Sequence, residues 1–156
     1  MLKGHTSKVI VVAASPNGDI VTGSWDKTAI VWSAEGEQKR VLECHTGWVR
    51  AMAVLPNGDI ITGSNDNTAI IWSAEGERKK MLKGHISSVY HNMLWRLIQM
   101  ETSSLAQQTR LHAIVWSAQG EPKRVLEGHT NAVTAVAIHL NGNTVTGSYD
   151  DIVRFW

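Results

Sequence analysis

Short apolar runs separated by clusters of polar and turn-forming residues fill most of the chain. At the start of the chain these runs cover residues 9–14, 20–23 and 28–32, and a more polar run follows at 39–42. Runs of this length between turn signals predict β-strands. Pro16-Asn17-Gly18-Asp19 is a hairpin signal, because Asn-Gly accepts the positive φ that tight turns need. The mostly apolar run 9–14 predicts an inner strand that is buried on both faces.

The same set of runs recurs with a period of about forty residues. The clearest markers are one histidine and one tryptophan in each unit: His5, His45, His85 and His129, and Trp32, Trp72, Trp116 and Trp156. The histidines are spaced by 40, 40 and 44 residues, and the tryptophans by 40, 44 and 40. These spacings divide a single segment, 1–156, into repeats of about 2–41, 42–81, 82–125 and 126–156. Four strands in each repeat predict an all-β fold made of four propeller blades.

Two motifs make these units resemble WD40 repeats. Gly-His opens three of them, at Gly4-His5, Gly84-His85 and Gly128-His129, and Cys44-His45 is the variant. An aspartate stands six residues before the closing tryptophan in three of them, as Asp26, Asp66 and Asp150. The resemblance implies a WD40 β-propeller, and four blades form only an incomplete ring or arc, because closed rings of this family usually have about seven. It also implies a non-catalytic module or scaffold that binds proteins or peptides.

The repeated polar residues have a structural role by this resemblance. In WD40 proteins a histidine, a strand threonine or serine, the aspartate and the closing tryptophan form a buried hydrogen-bonded tetrad. The three sets implied here are His5, Thr22 (or Ser24), Asp26 and Trp32; His45, Thr62 (or Ser64), Asp66 and Trp72; and His129, Thr146 (or Ser148), Asp150 and Trp156. Such groups need partners when buried, and a closed network supplies them.

The same residue types could instead form a nucleophile, base and orienting acid. An active site is rarely built three times in one domain, so we expect the tetrads and no enzyme activity. The seven histidines form no Cys/His cluster and no pair at helical spacing, so we expect no metal and no cofactor.

The third repeat has the common sequence pattern at its two ends but not in its middle. Residues 93–112 contain no Asn-Gly turn, and Arg110 stands where the tetrad aspartate is expected. This blade is therefore predicted to be degenerate, and around residues 89–100 the pattern suits a helix as well as a strand, so a partly helical blade is one of two alternatives. One hypothesis is that the middle of the third repeat has simply diverged.

A second hypothesis is a pair of compensating frameshifts on either side of residues 93–112. Codons that encode this segment, when read from their third base, can spell PNGDIITGS, one free residue and DKTA, which is the sequence that the repeat lacks. The coding DNA tests that hypothesis.

The composition bears on the classes of partner and on the compartment that we expect for this chain. A net charge of +1 from 15 basic and 14 acidic residues argues against nucleic acid. No apolar run is long enough to span a membrane, and no signal peptide is evident. Cys44 is the single cysteine, which fits a reducing compartment, so we expect a cytoplasmic location and do not exclude the nucleus.

Partner-binding candidates follow from the family's usual contact face, near the inner loop and the second turn. Trp and Arg are common at such interfaces. The candidates are Lys8, Trp25, Trp48, Arg50, Asn65, Tyr90 and Tyr149. Ordinary loop residues or packing between blades is the alternative interpretation.

Three further alternatives concern assembly, and a fourth concerns the partner. Residues 1–3 could complete the last repeat, which stops at its third strand; two copies could pair as a homodimer to complete an eight-bladed ring; or the chain could be a fragment or remnant of a larger WD40 protein. The units also resemble, more loosely, the propeller of phospholipase A2-activating proteins, which bind ubiquitin. Gly23-Ser24-Trp25-Asp26 carries that resemblance.

Overall fold

The computed structural model describes residues 3–43, 45–83, 95–97, 104–108, 112–117, 121–138 and 143–156. These residues contain fifteen strands and no helix, which confirms the all-β prediction. Within the described residues no helix is long and apolar enough to cross a membrane. The chain divides into two compact units, residues 1–84 and 85–156.

The first unit contains two antiparallel sheets of four strands each, in which strands adjacent in sequence pair with one another. Sheet 1 consists of β1 (Val9–Ala14), β2 (Ile20–Ser24), β3 (Thr28–Trp32) and β4 (Gln38–Glu43). Sheet 2 consists of β5 (Val49–Val54), β6 (Ile60–Ser64), β7 (Thr68–Trp72) and β8 (Arg78–Lys83). The registers are the same, since Thr22 lies opposite Ile30 and Thr62 opposite Ile70.

The second unit contains one sheet of four strands and one of three. Sheet 3 consists of β9 (Trp95–Leu97), β10 (Ser104–Gln108), β11 (His112–Ser117) and β12 (Pro122–Glu127). Sheet 4 consists of β13 (Val133–Ile138), β14 (Thr144–Ser148) and β15 (Val153–Phe155). Strands adjacent in sequence pair here too, so every sheet is an antiparallel meander.

Glycine sets the first hairpin of sheets 1 and 2. Gly18 has a φ of 88° and Gly58 a φ of 84°, a left-handed conformation that costs glycine little. The Asn17 side chain closes the same turn, because its Oδ1 accepts a hydrogen bond of 3.1 Å from the Asp19 backbone nitrogen. The Asn-Gly signal therefore acts through both residues, one by backbone freedom and one by its side chain.

The two sheets of the first unit pack through their inner strands, since β1 and β2 both contact β5. The contact is close at Gly23, where an added Cβ would lie 2.7 Å from Val11 Cγ1 and 2.8 Å from Val49 Cγ1. Val49 is consequently fully buried on β5. The prediction that run 9–14 is buried on both faces is wrong for β1, whose Val9 and Val12 are 46% and 64% exposed. Only one side of β1 carries a neighbouring sheet within its unit.

The third repeat forms a sheet rather than a partly helical blade wherever the structure describes it. Within the stretch 89–100, Trp95–Leu97 is strand β9, and it pairs with β10. The ladder hydrogen bonds of an existing sheet decide between helix and strand for an apolar run of ambiguous period. The remainder of that stretch, and Arg110, lie outside the described residues.

Candidate functional site

The structure brings the three predicted tetrads together, and threonine, not the alternative serine, is the member from the second strand. In sheet 1 the Trp32 indole donates to Thr22 Oγ1 over 2.8 Å, and Thr22 Oγ1 lies 2.8 Å from His5 Nε2. His5 Nδ1 lies 2.8 Å from Asp26 Oδ2. A neutral imidazole with its proton on Nδ1 completes this chain of donors from indole to carboxylate.

The other two tetrads repeat this geometry. His45 lies 2.8 Å from Asp66 and from Thr62 Oγ1, and the Trp72 indole donates to that hydroxyl over 2.9 Å. In sheet 4 the corresponding residues are His129, Asp150, Thr146 and Trp156, with distances of 2.7–2.9 Å. The residues of a third-repeat tetrad, His85 among them, lie outside the described part of the chain.

The serine two residues after each tetrad threonine makes a different hydrogen bond in the same hairpin. Ser24 Oγ accepts a hydrogen bond of 3.0 Å from the Asp26 backbone nitrogen, and Ser64 and Ser148 do the same for Asp66 and Asp150. The serine thus shapes the turn that aims the carboxylate, and the threonine two residues earlier bonds the histidine and the indole.

Each tetrad carboxylate is held ionised by its surroundings. Burial raises the pKa of Asp26, but hydrogen bonds from Thr28, the Thr6 backbone and His5 outweigh it and bring the pKa down to about 2, below the ordinary 3.8. Burial also raises the pKa of Asp66, but hydrogen bonds from Thr68, His45 and the Thr46 backbone outweigh it, so the pKa is lowered. In sheet 4, hydrogen bonds from His129 and from backbone nitrogens outweigh burial and lower the pKa of Asp150 to about 2. These groups are committed to structure, which leaves no free base among them.

Four of the predicted partner-binding residues lie together in the first unit. The rings of Trp25 and Trp48 are stacked, with centroids 4.3 Å apart and planes 9° from parallel. The Lys8 ammonium lies over the Trp25 ring at 4.8 Å from its centroid, and the Arg50 guanidinium lies 5.4 Å from the centroid of Trp48. We call these four side chains the cation–indole ladder. Each separation suits a cation–π or stacked aromatic contact.

The remaining candidates, Asn65, Tyr149 and Tyr90, are not members of the ladder, although the Asn65 backbone nitrogen donates to the Trp48 carbonyl oxygen over 3.0 Å. Asn65 occupies the position of Trp25 in sheet 2, and Tyr149 occupies it in sheet 4, where its side chain is 71% exposed. Tyr90 lies outside the described residues. Sequence reasoning offered packing between blades as an alternative for these residues but did not specify the pairing of Trp25 with Trp48, because that contact depends on how sheets 1 and 2 pack. Among the described residues no group of three acidic, His or Cys side chains could hold a metal ion.

Three segments of the chain, residues 1–33, 36–73 and 120–156, match the sequence family described as "WD domain, G-beta repeat" (WD40). The chain belongs to the WD40 repeat family. The matched segments contain the three tetrads, and they omit residues 93–112, where the third repeat loses its sequence pattern. A comparison with curated proteins found no match.

Two solved structures of designed proteins are similar to this WD40 chain over its whole length. The computationally designed Ika4 protein is 27% identical with a TM-score of 0.82, and the match covers 100% of this chain and 94% of that one. The computationally designed Ika8 protein is 27% identical with a TM-score of 0.81, and the match covers 99% of this chain and 47% of that one. The chain therefore spans about half the length of Ika8.

Proposed function

We propose that this chain is a non-catalytic module that binds a protein or peptide through the cation–indole ladder and the loops beside it. The observation that carries the proposal is the Trp25–Trp48 stack with one cation against each ring. Tryptophan and arginine supply much of the binding energy at protein interfaces. The His, Asp and Thr of the tetrads are engaged with one another, which supports a binding role over catalysis.

The repeats themselves supply matched variants for the test. Asn65 stands in sheet 2 where Trp25 stands in sheet 1, and Lys8 stands in sheet 1 where Trp48 stands in sheet 2. Trp25→Asn and Trp48→Lys therefore place a residue that a sibling repeat accepts. A partner found by cross-linking is purified and titrated by calorimetry against each variant. Ubiquitin is titrated in the same way, because the repeats loosely resemble the propeller of phospholipase A2-activating proteins. We expect both variants to lose most of the affinity. A partner that binds both as tightly as the native chain would contradict the proposal.

A second candidate function is self-association that completes a ring, and the third strand of sheet 4 favours it. Val153 and Phe155 on β15 are 62% and 76% exposed. Ala29 and Val31, at the same positions of β3, are 1% and 3% exposed, because they pack with Leu42 of β4 and with apolar residues of sheet 2. Among the described residues β15 pairs only with β14. An apolar strand edge of this kind is a template for pairing with another strand. The likeness to a chain of about twice this length is consistent with two copies in one ring.

Molar mass in solution tests the second candidate. Sedimentation equilibrium is expected to give twice the chain mass of 17.2 kDa. Phe155→Lys is expected to return the monomer, and Tyr149→Lys, in the turn between β14 and β15, is the control. A native chain that stays monomeric across the accessible concentrations rules out the paired ring.

We also propose a cytoplasmic location, supported only by the single Cys44.

A further inference from the structure

The residues of the cation–indole ladder differ between repeats that are otherwise nearly identical. Repeats 1 and 2 share Pro-Asn-Gly-Asp-Ile and Ser-Ala-Glu-Gly-Glu without change. At the ladder positions Trp25 corresponds to Asn65, Lys8 to Trp48 and Ile10 to Arg50. A sheet of this fold therefore forms with other residues at these places. The repeat framework therefore does not require the ladder.

The two cations of the ladder have no acidic partner among the described residues. Lys8 is exposed, and its described side-chain contact is the Trp25 ring. Arg50 is half-buried; its guanidinium lies against Trp48, and its Nε, which is buried, has no hydrogen-bond partner. Asp26, the residue after Trp25, already accepts bonds from Thr6, Thr28 and His5. By contrast, Lys39 and Lys79 on the outer strands are each paired with an aspartate at 2.7 Å.

The stacked indoles hold these two positive charges at a defined separation. The successive ring and cation distances place the Lys8 ammonium and the Arg50 guanidinium within about 15 Å of each other. An extended peptide advances about 3.3 Å per residue, so two acidic side chains about four residues apart, or closer, can reach both cations. Lys and Arg each bind carboxylates through charge-assisted hydrogen bonds, while the indole edges offer apolar contact.

We infer that the cation–indole ladder recognises an acidic peptide segment, one that presents two carboxylates within about four residues of each other. This inference rests on the proposed function and names the chemistry of its partner. Lysine and arginine are complementary to carboxylates, and nothing on the described surface neutralises these two. The contact is ionic and involves one exposed and one half-buried cation, so its affinity falls as the salt concentration rises.

The test measures binding of poly-L-glutamate to the full chain by calorimetry at low salt. The double variant Lys8→Gln/Arg50→Gln is expected to weaken binding about tenfold, since two ionic contacts are lost. Lys123→Gln/Arg124→Gln removes the same charge from β12 and is expected to leave the affinity within about twofold. The charge-keeping pair Lys8→Arg/Arg50→Lys is expected to retain binding. Urea titrations of each variant check that the fold is intact.

Each outcome decides the inference. Failure of poly-L-glutamate to bind the native chain, or equal weakening by both glutamine pairs, overturns acidic recognition at the ladder. Loss of binding in the charge-keeping pair also overturns it, since the charges would then not be the determinant. If the Trp25→Asn and Trp48→Lys variants still lose a purified protein partner in that case, the proposed function stands and only the acidic chemistry of the partner fails.

Discussion

The hydroxyl of Thr22 accepts a hydrogen bond of 2.8 Å from the indole nitrogen of Trp32, ten residues away on the neighbouring strand. The same oxygen lies 2.8 Å from His5 Nε2, so one hydroxyl joins β2, β3 and the loop before β1. Thr22 is only 6% exposed and Trp32 only 3%. Water cannot readily replace either bond, and the free energy of unfolding should depend strongly on this one oxygen.

Replacing Thr22 by valine keeps the side-chain shape and removes that oxygen. It leaves the Trp32 indole and His5 Nε2 without partners, and we expect the free energy of unfolding to fall by about 2–4 kcal/mol. Ser24→Ala removes one hydrogen bond to the Asp26 backbone and should cost about 1 kcal/mol. Urea unfolding followed by tryptophan fluorescence measures both. A serine variant that costs as much as the threonine variant would contradict the assignment of threonine to the tetrad.

The strand pattern could not choose between threonine and serine in advance. Thr22 and Ser24 are two residues apart on β2 and therefore face the same side of sheet 1. The position of each along the strand decides, since only Thr22 lies within reach of the Trp32 indole. The forty-residue period, by contrast, predicted the strands of repeats 1 and 2 closely, because turn residues and apolar runs agree there.

Tertiary packing accounts for the features that the sequence did not predict. The inner strands β1 and β5 have similar apolar patterns, yet Val9 is 46% exposed and Val49 is fully buried. The difference lies in which sheet covers each strand, and a local pattern carries no information on that. The Trp25–Trp48 stack is of the same kind, because each ring comes from a different repeat.

Acid should destabilise the chain through the tetrad aspartates. The pKa of Asp26 in the folded chain is about 2, below the ordinary 3.8. A lowered pKa contributes stability that is present above the unfolded value and is lost as the pH falls through the folded value. We therefore expect urea midpoints that are steady near neutral pH and decline between about pH 5 and pH 2. Asp26→Asn should be less stable at pH 7 and should show a smaller decline. An equal decline in this variant would show that Asp26 does not contribute.

Sheet 4 lacks one hydrogen bond that sheets 1 and 2 possess. Thr28 Oγ1 donates to Asp26 over 2.6 Å and Thr68 to Asp66 over 2.6 Å, but Ile152 occupies this position beside Asp150. Ile152 is 43% exposed, so little apolar burial is lost on its replacement. We expect Ile152→Thr to raise the free energy of unfolding by about 0.5–1.5 kcal/mol, measured by urea titration. Ile152→Val is the control for side-chain size. Equal stability of the threonine and valine variants would show that the added hydroxyl makes no bond.

The third repeat offers the largest gain in stability. In sheet 3 the register places Gln107 opposite Ile114, the position that Thr22 takes opposite Ile30, so a glutamine occupies the place of the tetrad threonine. Replacing residues 86–115 by a copy of residues 46–71 restores the threonine and the aspartate between His85 and Trp116. We expect the graft to raise the free energy of unfolding by about 2–4 kcal/mol, because three buried hydrogen bonds are regained.

A second graft isolates the tetrad from the improved turns and apolar runs. It carries the same segment with asparagine in place of the copied Asp66, and it should recover only part of the gain, because asparagine cannot give the histidine an ionised acceptor. Scanning calorimetry of the native chain and both grafts measures the three stabilities together. If the two grafts are equally stable, the missing tetrad is not what weakens this repeat, and the lost turn and strand residues of 93–112 must account for the difference.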